Sequence, residues 1–134
     1  MIMSGLYRFL LLTGLIGSSI SGAFAAECDV NLSGRFIIIQ NANAPAGIIF
    51  QLQQDTKNNI TGTAIDGNMT GVVTGTVGVD SRNADMMVRW NYGTVGHYTW
   101  HINKAGYMES GETADTTPGV RSTSSLSSSS SFCQ

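Results

Sequence analysis

Charge is scarce in this chain. Only 12% of its 134 residues are Asp, Glu, Lys or Arg, seven basic and nine acidic. No cluster of four basic residues is present to hold phosphates, so the sequence gives no sign of a nucleic-acid partner. Proline and cysteine occur twice each. Past the amino-terminal segment there is no long run whose apolar residues return every three or four positions, which argues against helices. Nucleophile elbows and phosphate loops are missing too. The serines are numerous, but none stands in a recognisable arrangement with a base. These absences point away from an enzyme and imply no cofactor.

What is present begins with an export signal. Arg8 precedes an apolar or small-residue stretch over Phe9 to Ile20, and Ala23-Phe24-Ala25 supplies a small-x-small pattern. The stretch is shorter than the roughly 20 residues a bilayer span needs, and Gly14, Gly17, Ser18, Ser19 and Ser21 dilute it. The expectation is a signal peptide over residues 1–25, then a single secreted or periplasmic domain over 26–134 that leaves the membrane after cleavage. Without Arg8 the balance becomes six basic against nine acidic residues. A chain this short has room for one core only.

Cys28 and Cys133 stand at the two ends of that domain. An even count in an exported small protein predicts an intramolecular disulfide. Such a bridge requires the chain ends to meet, with Cα atoms about 6 Å apart.

Between the cysteines the pattern has period two. Strands are expected over 34–40, 47–54, 60–65, 70–79, 85–91, 96–102 and 107–114, with Ile48, Phe50 and Leu52 sharing one face. Pro45 is expected to sit in the first loop, barred from the ladder. Asp66-Gly67 marks a hairpin. Every connection is short, so neighbours must be antiparallel. A seven-strand meander would leave two open edges, and an eighth strand would remove them. Residues 122–134, rich in serine, are expected to supply it and to lie beside the first strand. Thr-Gly pairs at 61–62, 70–71 and 74–75 fit the tight coiling of a small barrel.

The stretch Val88 to Ile102 ("VRWNYGTVGHYTWHI") carries the most chemistry. A three-residue loop at Tyr92-Gly93-Thr94 would pair position 88 with 98. Met86, Val88 and Trp90 would then share a face with Tyr98, Trp100 and Ile102. Trp90, Tyr98 and Trp100 are the candidate ligand-binding residues. They either fill the core, with their indole N–H groups finding partners, or wall a site for a flat or sugar-like molecule. Arg89, Asn91, His97, Thr99 and His101 make the solvated face.

"GRFIIIQ", "NITGTA", "VTGTV" and "MMVRWNYGTVGHYTW" resemble the avidin-type barrel pattern. That resemblance implies an all-β, eight-stranded antiparallel up-and-down meander barrel with candidate ligand positions at Trp90, Tyr98 and Trp100. The early Asn-x-x-x-Ser pair and the late acidic residue of the biotin site have no counterpart here. The spacing is also similar to that of small exported bacterial proteins ending in a cysteine.

His97 and His101 lie four apart on a strand, about 13 Å at roughly 3.3 Å per residue, too far to share one metal ion. Glu109 and Glu112, three apart, are expected on opposite faces. The sequence therefore supports an exported, non-catalytic barrel that binds a small molecule or carbohydrate at an aromatic mouth. The alternative is an inhibitor or adhesion module that meets a protein partner through rim loops at 41–46 and 114–123.

Overall fold

A computed structural model describes residues 27–41, 45–116 and 123–133. The expected signal peptide lies outside them. Eight strands follow one another: β1 (Gly34–Asn41), β2 (Pro45–Gln54), β3 (Asn59–Asp66), β4 (Met69–Val77), β5 (Asn83–Trp90), β6 (Val95–Ile102), β7 (Met108–Asp115) and β8 (Thr123–Ser127). Each pairs antiparallel with the next, and β8 returns to β1, closing the barrel. Pro45 opens β2 opposite Asn41 instead of lying in the loop. The first position of a strand tolerates its missing N–H.

Alternation drives the closure. Inward positions of β5 and β6 (Ala84, Met86, Val88, Trp90; Gly96, Tyr98, Trp100, Ile102) are all buried. The intervening positions are exposed or half-buried. Ile38, Ile48, Phe50, Leu52, Ile60 and Val73 complete a continuous interior. A flat sheet would leave that face wet. Curling the sheet onto itself removes it from water at about 25 cal/mol per Å².

The β5–β6 register departs from expectation. Val88 pairs with Gly96, and Tyr98 with Met86. The loop has three residues, but they are Asn91-Tyr92-Gly93. Trp90 N–H donates to Thr94 O at 2.9 Å, and Gly93 N–H donates to Trp90 O at 3.0 Å. Gly93 has φ +100°, so it takes the last loop position, where a left-handed residue joins the turn to the strand. Moving the loop by one residue changes every partner but keeps the parity, so the apolar sets still face inward together.

β8 is shorter than expected and pairs with β1 only over Ile39 to Asn41. Beyond Ser127 the chain departs from β1 and closes one barrel end. Phe132 N–H donates to Gly106 O at 2.7 Å, and its carbonyl accepts from Asn31 N–H at 2.8 Å. Its ring meets Phe36 edge-on at 4.9 Å and stacks on Trp100 at 5.9 Å. Cys28 and Cys133 are bonded, with Cα atoms 5.4 Å apart across 105 residues of sequence.

Arg82, unremarkable in the sequence, holds this end together. It sits in the β4–β5 turn with φ +60° and is 6% exposed. Its guanidinium donates to Ile102 O (3.1 Å), Asn103 O (2.7 Å) and Cys28 O (2.7 Å). It also lies 3.4 Å from Cys28 Sγ and 3.8 Å from the Glu27 carboxylate. A buried cation is tolerable when carbonyls replace its water. On the opposite side, Gln54 accepts from Leu32 N–H at 2.9 Å and donates to Val30 O at 3.3 Å. The entering segment is thus tied on both flanks.

Two stability effects are expected. Replacing both cysteines by serine should lower unfolding free energy by about 4–5 kcal/mol, the loop-closure value for a span of this size. Arg82→Ala should cost about 3 kcal/mol because it strands three carbonyls. Lysine should restore only part, since one ammonium cannot reach all three. Urea melts of the oxidised proteins check both.

Candidate functional site at the second end of the barrel

The other end carries the β3–β4 and β5–β6 turns, with Asn41, Pro45, Asp115 and Thr123 at the neighbouring strand ends. Trp90 closes β5 opposite Gly71 of β4. A Cβ at position 71 would lie 2.5 Å from the Val88 side chain and 3.0 Å from the Trp90 ring. A Cβ at Gly96 would lie 2.8 Å from the Tyr98 ring. Both rings therefore fill space that two missing side chains leave. Tyr92, at the tip of the β5–β6 loop, stacks on Trp90 with centroids 6.2 Å apart and planes 23° from parallel. It is 53% exposed.

Beneath this pair lies a group of polar side chains. Tyr98 O–H donates to Gln40 Oε1 at 3.2 Å. Thr113 of β7 and Ser124 of β8 face each other in register, and both are buried. Burial pushes the Tyr98 phenol up to about 12; hydrogen bonds with Thr113 and Trp90 oppose that, and the nearby Tyr92 and Asp66 add to it. Burial also raises Tyr92, and the carboxylates of Asp66 and Asp115 reinforce the rise. Hydroxyls, an amide and aromatic faces converge here without a described cation among them.

The three residues singled out from the sequence divide by depth. Trp90 and Tyr98 belong to this end. Trp100 lies deeper, packed against Phe36, Phe50 and Phe132. Its indole N–H has no hydrogen-bond partner, against the expectation that buried indoles find one. The rings around it offer no oxygen. Tyr92, Gln40, Thr113 and Ser124 were missed by the sequence reading. Their signal was weak: single polar residues whose inward or rim position depends on register.

The remaining candidates lie on the outer wall. His97 Nε2 meets Asp85 Oδ1 at 2.6 Å, and His101 Nδ1 meets Asn83 Oδ1 at 2.7 Å. No group of three metal-ligating side chains occurs among the described residues. Glu109 and Glu112 are both exposed, instead of facing opposite ways. The register slips between His101 and Ile102, which breaks the alternation. A groove of about 490 Å³ runs along this wall past Asp85, Thr99, His101 and Glu112.

No family model matches the chain, and neither a curated protein nor a solved structure matches it significantly. The site must be read from its own chemistry.

A raised phenol binds its proton more tightly folded than unfolded. The contribution of Tyr98 is therefore complete below pH 10 and is lost as pH rises through about 12. Ultraviolet difference titration should show one phenol ionising near pH 12, and Tyr98→Phe should abolish that step. Stability should fall on the order of 2 kcal/mol over the same window.

Proposed function

We propose that this protein is an exported, non-catalytic barrel that binds a small flat molecule, a carbohydrate or a heterocycle, at the Trp90 end. The observation that carries the reading is the polar set of buried Tyr98, Thr113 and Ser124 with half-buried Gln40 near the Trp90–Tyr92 stack. An interior built for packing alone would be apolar there, as it is around Phe50. Small-molecule sites combine aromatic walls with a few placed donors and acceptors. Side chains fill the barrel below Tyr98, so the ligand lies shallow, at the rim. Trp100 then supports the site from below and does not touch the ligand. The avidin-type resemblance fits the barrel and its aromatic end, while biotin itself finds no matching polar pair.

An extracytoplasmic setting is compatible with the disulfide. No helix among the described residues is long and apolar enough to cross a membrane. Barrels that span membranes keep a polar lumen and an apolar outer band. Here the core is apolar, and the outer wall carries Asp85, Arg89, Glu109 and Glu112. The rim loops of the alternative reading lie largely outside the described residues.

Titration with glucose, N-acetylglucosamine, adenine and biotin should identify at least one compound that shifts tryptophan emission. Trp90→Ala should abolish the shift and keep the circular dichroism spectrum. Trp100→Ala should cost about 3–5 kcal/mol of stability, as large aromatic deletions in cores do. Unchanged emission at saturating levels of all four would remove the reading.

A further inference from the structure

The bridged end holds its two sulfurs in unlike surroundings. Cys28 and Cys133 are both half-buried. Arg82 Nη2 lies 3.4 Å from Cys28 Sγ, and Arg82 Nη1 donates to the Cys28 carbonyl at 2.7 Å. Cys133 Sγ lies instead 3.1 Å from the carbonyl oxygen of Ala105 in the β6–β7 turn. Gly106 follows in the same turn, and any side chain there would run into both sulfurs.

These contacts acquire chemical meaning once the sulfur–sulfur bond opens. A guanidinium beside a sulfur favours its ionised form. A carbonyl oxygen repels a thiolate and accepts from an S–H, so it favours the protonated form. The other charges nearby do not reverse this difference. Glu27 and Asp29 flank Cys28 in the chain and are exposed. Glu27 is shared between Arg82 at 3.8 Å and Lys104 Nζ at 3.9 Å. Asp80, His101 and Glu109 border a hollow of about 590 Å³ that Arg82 and Ala105 also line. Among the described residues, only Arg82 brings a charged group within hydrogen-bonding distance of either sulfur.

We propose that the bridge is a directed thiol–disulfide exchange site, with Cys28 as the thiolate and Cys133 as the sulfur that an external low-molecular-weight thiol attacks. A sulfur whose negative charge is stabilised is the better leaving group, which decides which cysteine is attacked. The external thiolate forms a bond to Cys133 Sγ. The bond between the two cysteines breaks, and its electron pair leaves on Cys28 Sγ beside Arg82. A second external thiolate then attacks the external sulfur of this mixed disulfide and releases Cys133, which takes up a proton. Two external thiols become one disulfide, and the cysteine pair gains two electrons. Of the two protons the thiols lose, one ends on Cys133 and one in solvent. Run backwards, the same steps close the bridge, with the Cys28 thiolate displacing the external group from Cys133. The site lies at the opposite end of the barrel from Trp90 and does not depend on a ligand there.

Trapping on the native oxidised chain, with its signal segment removed, tests the proposal. Reduced glutathione is added near neutral pH, free thiols are blocked at early times with N-ethylmaleimide, and the peptides are mapped by mass. The first adduct should carry glutathione on Cys133 and maleimide on Cys28, about fivefold or more in excess of the opposite pattern. Arg82→Gln should bring the two patterns close to equal. Arg82→Lys, which keeps the positive charge, should retain the bias. A role confined to holding the fold would change the rate of opening in both variants and leave its direction alone. As a second measurement, iodoacetamide at mildly acid pH should alkylate Cys28 of Cys133→Ser about fivefold faster or more than Cys133 of Cys28→Ser. The two rates should converge in concentrated urea. Where the single-cysteine variants do not fold, the mapping on the native chain decides alone. Equal adducts on that chain, glutathione on Cys28, or a bias untouched by Arg82→Gln overturns the proposal. So does a bridge that glutathione leaves closed.

Discussion

The joining of the two chain ends is the constraint on which the other features rest. Cys28 and Cys133 hold the entering and leaving segments together beneath the barrel, and Arg82 ties the same point to the β6–β7 turn. β8 contributes little to closure by itself, having three ladder partners in β1 and three in β7. Serine is a poor strand former, so so short a strand needs outside support. The covalent link supplies it, and Phe132 adds an aromatic plug that β8 alone could not place. With one end held in this way, the opposite end is free of packing duty and can carry polar groups.

That division explains how the interior changes along the barrel axis. Toward the bridged end, Phe36, Phe50, Trp100 and Phe132 pack ring against ring, and even the Trp100 N–H goes without an acceptor. An unpartnered buried donor costs about 1–3 kcal/mol, so dense packing has been kept at the expense of a hydrogen bond. Toward the other end, glycines at 71 and 96 admit Trp90 and Tyr98, and hydroxyls replace hydrocarbon. The same barrel is thus apolar and packed at one level, and polar and aromatic at the next. A second division runs around the circumference: outward Asp85, Arg89, Glu109 and Glu112 lie on β5 and β7, whereas Arg35 is the one outward charge among the described residues of β8 and β1–β4. Strand pairing requires neither division.

Much of the fold could be read from period-two alternation. Ile48, Phe50 and Leu52, and Met86, Val88, Trp90, Tyr98, Trp100 and Ile102, were placed on shared faces correctly because side-chain parity survives small errors in the turns. Register was harder. The β5–β6 loop moved by one residue because the left-handed conformation of Gly93 suits the last loop position, and sequence spacing alone does not say which residue takes it. Glu109 and Glu112 were misplaced for a related reason, since a slip between His101 and Ile102 resets the alternation. The polar set around Tyr98 is drawn from β1, β6, β7 and β8. Contacts across so many strands exist only once the sheet has closed.

By itself, the order of residues determined the strands, their inward faces and the meeting of the two sulfurs, because each depends on local alternation or on there being a single cysteine pair. Tertiary structure decided which end of the barrel is filled, which of the three aromatic candidates reach its rim, and that a turn arginine serves as an internal tie. These outcomes depend on the stagger and curvature of the closed sheet, which set how far each side chain travels along the axis. A linear pattern records faces, not heights.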